Sequence, residues 1–143
     1  SYHLAAFLEG FRNRKVRIKS LLLDQHFVAG VGNIYADEAL FRAGIHPARK
    51  VQSLRRWEKE SLFEAIPEVL KEGIEHGGTS LRDYVKSDGQ MGSHQENLRV
   101  YGQKGEPCYQ CETPIQKIVM SQRGTHFCST CQPRSGRSRR NRR

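Results

Sequence analysis

Four cysteines, all in CxxC pairs, constrain this 143-residue chain more than any other feature: Cys108-x-x-Cys111 and Cys128-x-x-Cys131, with sixteen residues between the pairs. Two pairs at this spacing are the pattern of a four-thiolate zinc site, each pair at the tip of a hairpin turn. Two disulfides are the rival. CxxC pairs bridge internally mainly in redox proteins, however, and no thioredoxin-like βαβ pattern surrounds these. Four thiolates fill a tetrahedron and leave no position for water, so one structural zinc ion is expected, holding together a segment too small for a core of its own. His126, two residues before Cys128, is not needed as a fifth ligand and reads as a surface or stacking histidine.

The charge pattern adds a second constraint. Net charge is +9, and "QPRSGRSRRNRR" at the C-terminus holds six arginines and no acid. The first 131 residues keep 18 basic against 15 acidic residues, and five of those cations fall in "FRNRKVRIK" (Phe11–Lys19). Clusters of this kind suit a polyanion, with nucleic acid the first candidate; a solvated helix face is the plainer reading. The arginine-rich end is too poor in apolar residues to fold and is expected to be disordered. Mean hydropathy is −0.70, and no apolar run approaches the roughly 20 residues of a membrane span. "SYHLAAFLEGFRNRK" carries its charges after its apolar residues, unlike a signal peptide. A soluble, cytoplasmic protein with no membrane partner is expected.

"VAGVGNIYADEALFRAG" (Val28–Gly44) places Gly30 and Gly32 directly before Asn33 and a helix-like run. Glycine permits φ > 0 and close approach of another molecule, and a helix N-terminus suits an anion. A tight interhelical turn and a phosphate-gripping turn both fit. The partial match to GxGxxG lacks its third glycine and any βαβ unit, so a dinucleotide site is set aside.

Apolar spacing predicts a helix over 15–25, a second from Asn33 as N-cap to Arg42 with Gly44 as stop, and Asp37 and Glu38 placed early in it for the helix dipole. Leu62, Ile66, Val69, Leu70 and Ile74 mark a long helix with one buried stripe. Ser61 and Glu64 fit a capping box at its start, although Leu54 and Trp57 argue for an earlier one, and Pro67 would kink it. Gly77-Gly78 ends it. A short helix near 81–85 and a mobile polar loop, "KSDGQMGSHQEN", follow. "LRVYG" and "PIQKIVMSQRGTHFC" then read as strands, with Arg123-Gly124 as a hairpin tip bearing a rigidly held cation.

"LLLDQHFVAGVGNIYADEALFRAGIHP", "GGTSLRDYV", "LRVYGQKGEPC" and "CETPIQKIVMSQRGTHFC" together resemble bacterial formamidopyrimidine-DNA glycosylases from about Arg14 to Gln132. The sister endonuclease VIII family shares both modules, but "GNIYADEALF" sits closer to the formamidopyrimidine branch. The resemblance implies a mainly α fold: a helix–two-turns–helix bundle over 1–98, a four-cysteine β-hairpin zinc finger over 99–132 and a basic tail over 133–143. It implies the C-terminal half of a base-excision repair enzyme that removes oxidised purines, such as 8-oxoguanine and formamidopyrimidines, and nicks the abasic strand. The expected partner is double-stranded DNA with an oxidised purine or abasic site, bound by a monomer. Residue by residue, Lys15, Gly30, Gly32, Asn33 and Arg123 match DNA contacts, and Arg123 also matches a proton donor in strand cleavage. Residues 84–97 match the loop over the flipped base, without the family's aromatic near His94. The family's N-terminal proline nucleophile, glutamate and β-sandwich lysine have no counterpart in this chain, which is expected to bind DNA without excising a base. A stand-alone DNA-binding module and a zinc-ribbon adaptor are the alternatives.

Overall fold

A computed structural model of the chain describes residues 2–28, 30–75 and 98–136. A mainly helical body, α1 (Leu4–Glu9), α2 (Ile18–Leu22), α3 (Asn33–Ala43) and α4 (Arg56–Glu75), precedes an antiparallel hairpin of β1 (Gln116–Met120) and β2 (Arg123–Phe127). The short helix near 81–85 and the polar loop expected after it lie outside the described residues, as does the arginine-rich end beyond Gly136.

The body is organised around α3. Ala36, Ala39 and Leu40 recur at helical spacing and are buried with Leu62, Ala65, Ile66 and Val69 of α4 and with Ile18, Leu21 and Leu22 of α2. The other side of α3 is buried too, but by different neighbours. Phe41 joins Val100, Cys108, Ile115 and Cys128 in a second cluster that belongs to the finger. One helix therefore serves two cores. Gly44 closes it in the left-handed region at φ 75°, with its N–H and that of Ile45 returning to the last-turn carbonyls.

Several expected boundaries shift for identifiable reasons. The helix expected over 15–25 begins only at Ile18, because the chain before it is claimed by β-type pairing. Val51 N–H donates to Val16 O (2.9 Å) and Ile18 N–H to Arg49 O (2.8 Å), with Arg17 opposite Lys50. Asn33 is the first residue of α3 rather than its cap; Gly32 takes that place in extended backbone. Asp37 and Glu38 are buried and hydrogen-bonded to other segments, so they serve tertiary contacts instead of the dipole. "LRVYG" is not a strand: its backbone N–H groups at Arg99, Val100 and Tyr101 converge on the Glu38 carboxylate at 2.8, 2.9 and 2.8 Å. Burial raises the pKa of Glu38 against these three bonds, which favour its ionised form.

α4 starts at Arg56, upstream of the Ser61–Glu64 box. Glu58 reaches back to the N–H of Arg55 (2.9 Å), the acidic half of a capping box nearly two turns earlier. Pro67 lies inside the helix. Lacking an N–H, it cannot bond Phe63 O four residues back. The Tyr2 hydroxyl takes that carbonyl at 2.7 Å while its ring stacks on Phe63 at 4.2 Å, and burial pushes the phenol up to about 12. Ile74, expected in the buried stripe, is exposed.

Two buried polar groups hold the connector between α3 and α4. Arg49 pairs with Glu58 through both oxygens (2.5 and 3.1 Å) and donates to Ser53 O (2.8 Å). His46 accepts the Ala48 N–H on Nδ1 (3.0 Å), which fixes the Nε2–H tautomer, and its ring packs 4.5 Å from Phe127 of the finger. Burial lowers its pKa from 6.5 to about 4, with Arg134 and Arg49 adding to the effect.

Breaking the Arg49–Glu58 pair from one side leaves a buried charge unpaired. Arg49→Met is expected to cost about 3–5 kcal/mol in urea unfolding, and Arg49→Met with Glu58→Leu to recover most of it. For His46, whose folded-state pKa is depressed, the unfolded chain takes up the proton first. Its stabilising effect is therefore complete above pH 6.5 and disappears as pH falls toward 4. Unfolding curves across that window should show a decline that His46→Asn flattens.

Candidate nucleic-acid interface

Three elements converge where α3 begins: the glycine turn, α2 and the start of β2. Gly30 sits at φ 88°, a conformation that favours glycine, and its N–H donates to Gln25 Oε1 (2.8 Å). Gln25 Nε2 donates back to Val31 O (3.3 Å), so one side chain staples two consecutive residues of the turn. Among the described residues beyond its chain neighbours, a Cβ at Gly30 or at Gly32 would meet nothing within 4 Å. Internal packing therefore does not require the missing side chain at Gly32. The open side of the turn is available to an outside molecule.

Asn33, at the N-terminus of α3, donates from Nδ2 to Gly124 O (3.0 Å). The second Nδ2 hydrogen has no acceptor among the described residues. Asn33 Oδ1 is buried without a partner among the described residues. Lys19 reaches the same carbonyl at 3.1 Å, donates to Thr125 Oγ1 at 2.8 Å and pairs with Asp37 Oδ1 at 2.8 Å. Its ammonium thus makes two hydrogen bonds to the finger and an ion pair to Asp37, whose Oδ1 has no other partner among the described residues. Burial lowers the pKa of Lys19, Asp37 opposes that shift and the charge of Arg123 adds to it. Asp37 Oδ2 accepts the backbone N–H of His126 (2.9 Å) and contacts its Nδ1 (3.1 Å).

Arg123 is the first residue of β2, paired with Met120, and is exposed without an ion pair among the described residues. The hairpin tip is two residues earlier than expected. Ser121 and Gln122 form it at φ 50° and 66°, as a two-residue turn of the type that matches strand twist. His126, expected at the surface or stacked, is buried beside Asp37 with its ring edge-on to Tyr101 at 4.8 Å.

The structure thus brings Asn33 and the backbone next to Arg123 together at one carbonyl, beside the turn of Gly30 and Gly32. Lys15 is not part of the cluster: it is exposed on the extended segment before α2, and Lys19 occupies the interior. Sequence reasoning missed Lys19, Asp37, Gln25 and Gln132. Gln132 is fully buried, accepts Cys128 N–H (2.8 Å) and donates to Ile45 O (3.0 Å), locking the end of the finger to the body.

The cysteines fit a zinc ion. All four Sγ atoms lie within 4.8 Å of one another, with Cys108–Cys131 at 3.8 Å and Cys111–Cys128 at 3.4 Å. Tetrahedral bonds of about 2.3 Å require sulfurs about 3.8 Å apart. Backbone N–H groups of Gln110 and Cys131 point at Cys108 and Cys128 Sγ (3.4 Å each), favouring thiolates. Without a cation, burial pushes the Cys128 thiol up to about 11. A metal would supply the compensating charge and the cross-link.

Comparison with known proteins agrees with this arrangement. Residues 1–85 match the formamidopyrimidine-DNA glycosylase H2TH domain, and 105–134 match the zinc finger found in FPG and IleRS. The chain is 53% identical over 128 residues to a formamidopyrimidine-DNA glycosylase of Solibacter usitatus, covering 90% of this chain and 48% of that protein. The Listeria innocua protein of the same name is 48% identical over 132 residues, covering 92% and 48%. Among solved structures, Lactococcus lactis Fpg with abasic-site DNA superposes at a TM-score of 0.81 and 41% identity, covering 92% of this chain and 47% of that one. MutM (Fpg) of Thermus thermophilus gives 0.81 and 46%, covering 92% and 50%. The chain spans about half the length of the curated relatives it matches.

Removing the metal should disorder the finger alone. With a chelator, or in Cys111→Ser, amide hydrogen exchange is expected to accelerate across 116–127 while α4 keeps its protection. Unchanged exchange across 116–127 would show that the hairpin holds without zinc.

Proposed function

The chain belongs to the formamidopyrimidine-DNA glycosylase family, and from that premise we propose that it is the DNA-gripping C-terminal half of a base-excision repair glycosylase. The observation that carries this reading is the Gly124 carbonyl, on which Asn33 and Lys19 meet one residue from Arg123. It ties together two candidate phosphate ligands, one on the body and one on the finger, next to the glycine turn. An enzyme that acts on a base must rotate it out of the duplex, at a cost of a few kcal/mol in lost stacking and pairing. Rigidly spaced phosphate contacts can hold the backbone in that distorted state.

In this reading the N–H groups of the turn around Gly30 and Gly32 and the free Asn33 Nδ2 hydrogen take one stretch of phosphate. Arg123 takes another from the finger side, and Lys15 adds a peripheral contact. One structural zinc ion, held by Cys108, Cys111, Cys128 and Cys131, sets the reach of Arg123 without touching the reaction. The chain divides into a helix–two-turns–helix domain over 1–98, a finger over 99–132 and a basic tail over 133–143. In the complete enzyme an N-terminal amine attacks the sugar of an oxidised purine nucleotide, and Arg123 assists strand cleavage as a proton donor. The protein acts as a monomer in the bacterial cytoplasm, at the nucleoid. No helix among the described residues is long and apolar enough to cross a membrane.

Purified zinc-loaded chain is expected to bind an abasic-site duplex with affinity that falls steeply as salt rises, by a log–log slope of about −0.9 per phosphate engaged. Asn33→Ala should weaken binding roughly tenfold, as loss of one charge-assisted bond does, while lowering the melting temperature only by the few degrees that loss of its one bond to Gly124 O implies. A large drop in melting temperature would make Asn33 a structural residue instead. Release of 8-oxoguanine by this chain alone would overturn its assignment as the non-excising half.

A further inference from the structure

Asp37 lies four residues after Asn33, one turn along the same face of α3. Its side chain is fully buried, and its polar partners among the described residues, Lys19 and His126, lead to the finger. Oδ2 takes the His126 N–H and Oδ1 takes the Lys19 ammonium. That ammonium also donates to Gly124 O and Thr125 Oγ1. Three consecutive residues of β2, Gly124 to His126, are therefore tied to two helices of the body through one carboxylate. Arg123, directly before them, is the exposed end of the restrained strand.

Adhesion alone does not call for this arrangement. Phe41, Ile115 and Val100 already supply an apolar contact between body and finger, and apolar residues in place of a buried ion pair commonly hold two surfaces together as well or better. What a charge pair with fixed hydrogen-bond directions adds is a single allowed register. We propose that Asp37 is a positioning residue for DNA binding: it acts through Arg123, by holding the start of β2 at a set distance and angle from Asn33. The proposal rests on the phosphate-gripping reading above and names the residue that makes the two grips act as one.

A double-mutant cycle on the zinc-loaded 143-residue chain tests it, with an abasic-site duplex as probe and binding measured at several salt concentrations. Asp37→Asn keeps an acceptor for the His126 N–H but removes the charge that holds Lys19. With Arg123 present it should weaken binding about tenfold and make the salt slope shallower by about 0.9, one phosphate contact. In the Arg123→Ala background it should change affinity less than about twofold, since residues acting as a unit are strongly non-additive. Equal losses in both backgrounds, or no loss in either, would overturn the proposal. Should Asp37→Asn fail to fold by melting or zinc content, Thr125→Val removes one Lys19 partner and leaves the carboxylate in place. It should give a smaller loss that also depends on Arg123 and that Thr125→Ser restores; wild-type affinity in Thr125→Val would count against Asp37. If the unaltered chain shows no salt-dependent binding, the phosphate-gripping reading falls and the proposal with it. If that chain binds and the cycle is additive, only the proposal falls.

Discussion

Lys19 and Asp37 form a charge pair with almost no contact with solvent, at the place where body and finger meet. Removing two charges from water costs several kcal/mol each, and mutual attraction compensates only if the remaining donors and acceptors are also satisfied. Here the Lys19 ammonium also donates to two finger oxygens and Asp37 Oδ2 accepts a backbone N–H, while Asp37 Oδ1 has the ion pair alone among the described residues. Only one arrangement gives this. Lys19 must find both Gly124 O and Thr125 Oγ1, and Asp37 must find His126 N–H. Sliding β2 by one residue would turn Thr125 away and leave a buried ammonium short of an acceptor. The pair thus makes the placement of the hairpin on α3 a matter of a single register.

The finger needs this external reference because it has little of its own. Two strands of five residues do not make an independently stable sheet. Their tip carries two non-glycine residues in the left-handed region, each at a cost of about 1–2 kcal/mol. The cysteine cluster closes the other end, and Gln132 and the His46–Phe127 contact join that end to the body. The hairpin is consequently fixed at both ends: by metal ligands and Gln132 at its base, and by Lys19, Asp37 and Asn33 near its tip. Arg123 gains a defined position from restraints that are all made by other residues.

The sequence made these features legible to different degrees. Cysteine spacing depends only on local turns and on the ligand set, so the finger was readable from four residues. α3 was readable because Gly32 and Gly44 bracket it. α2 was overextended because periodicity cannot register that Val16 and Arg17 are paired in β fashion with residues more than thirty positions away. "LRVYG" alternated like a strand, yet its hydrogen-bond partner is a carboxylate on a helix. Lys19 was hidden in a run of five cations. Nothing local distinguishes it from Lys15, since its burial is set by Asp37 and β2, eighteen and about a hundred residues downstream.

That concealment bears on the electrostatics. Of the cations in Phe11–Lys19, the innermost is neutralised internally and offers little net field to an approaching phosphate. Arg49 is likewise consumed by Glu58. Charge counts alone therefore overstate how much of the positive potential is directed outward, and they misplace it. In the proposed phosphate grip, the groups near α3 that have no partner among the described residues are the exposed Arg123, one hydrogen of Asn33 and the backbone of the glycine turn. Two of these three carry no formal charge. A site of the proposed kind would draw its attraction from the bulk of basic residues around it, and its geometric selectivity from dipoles and one arginine held at fixed spacing. The buried pair contributes to that spacing because its own charges are spent within the protein.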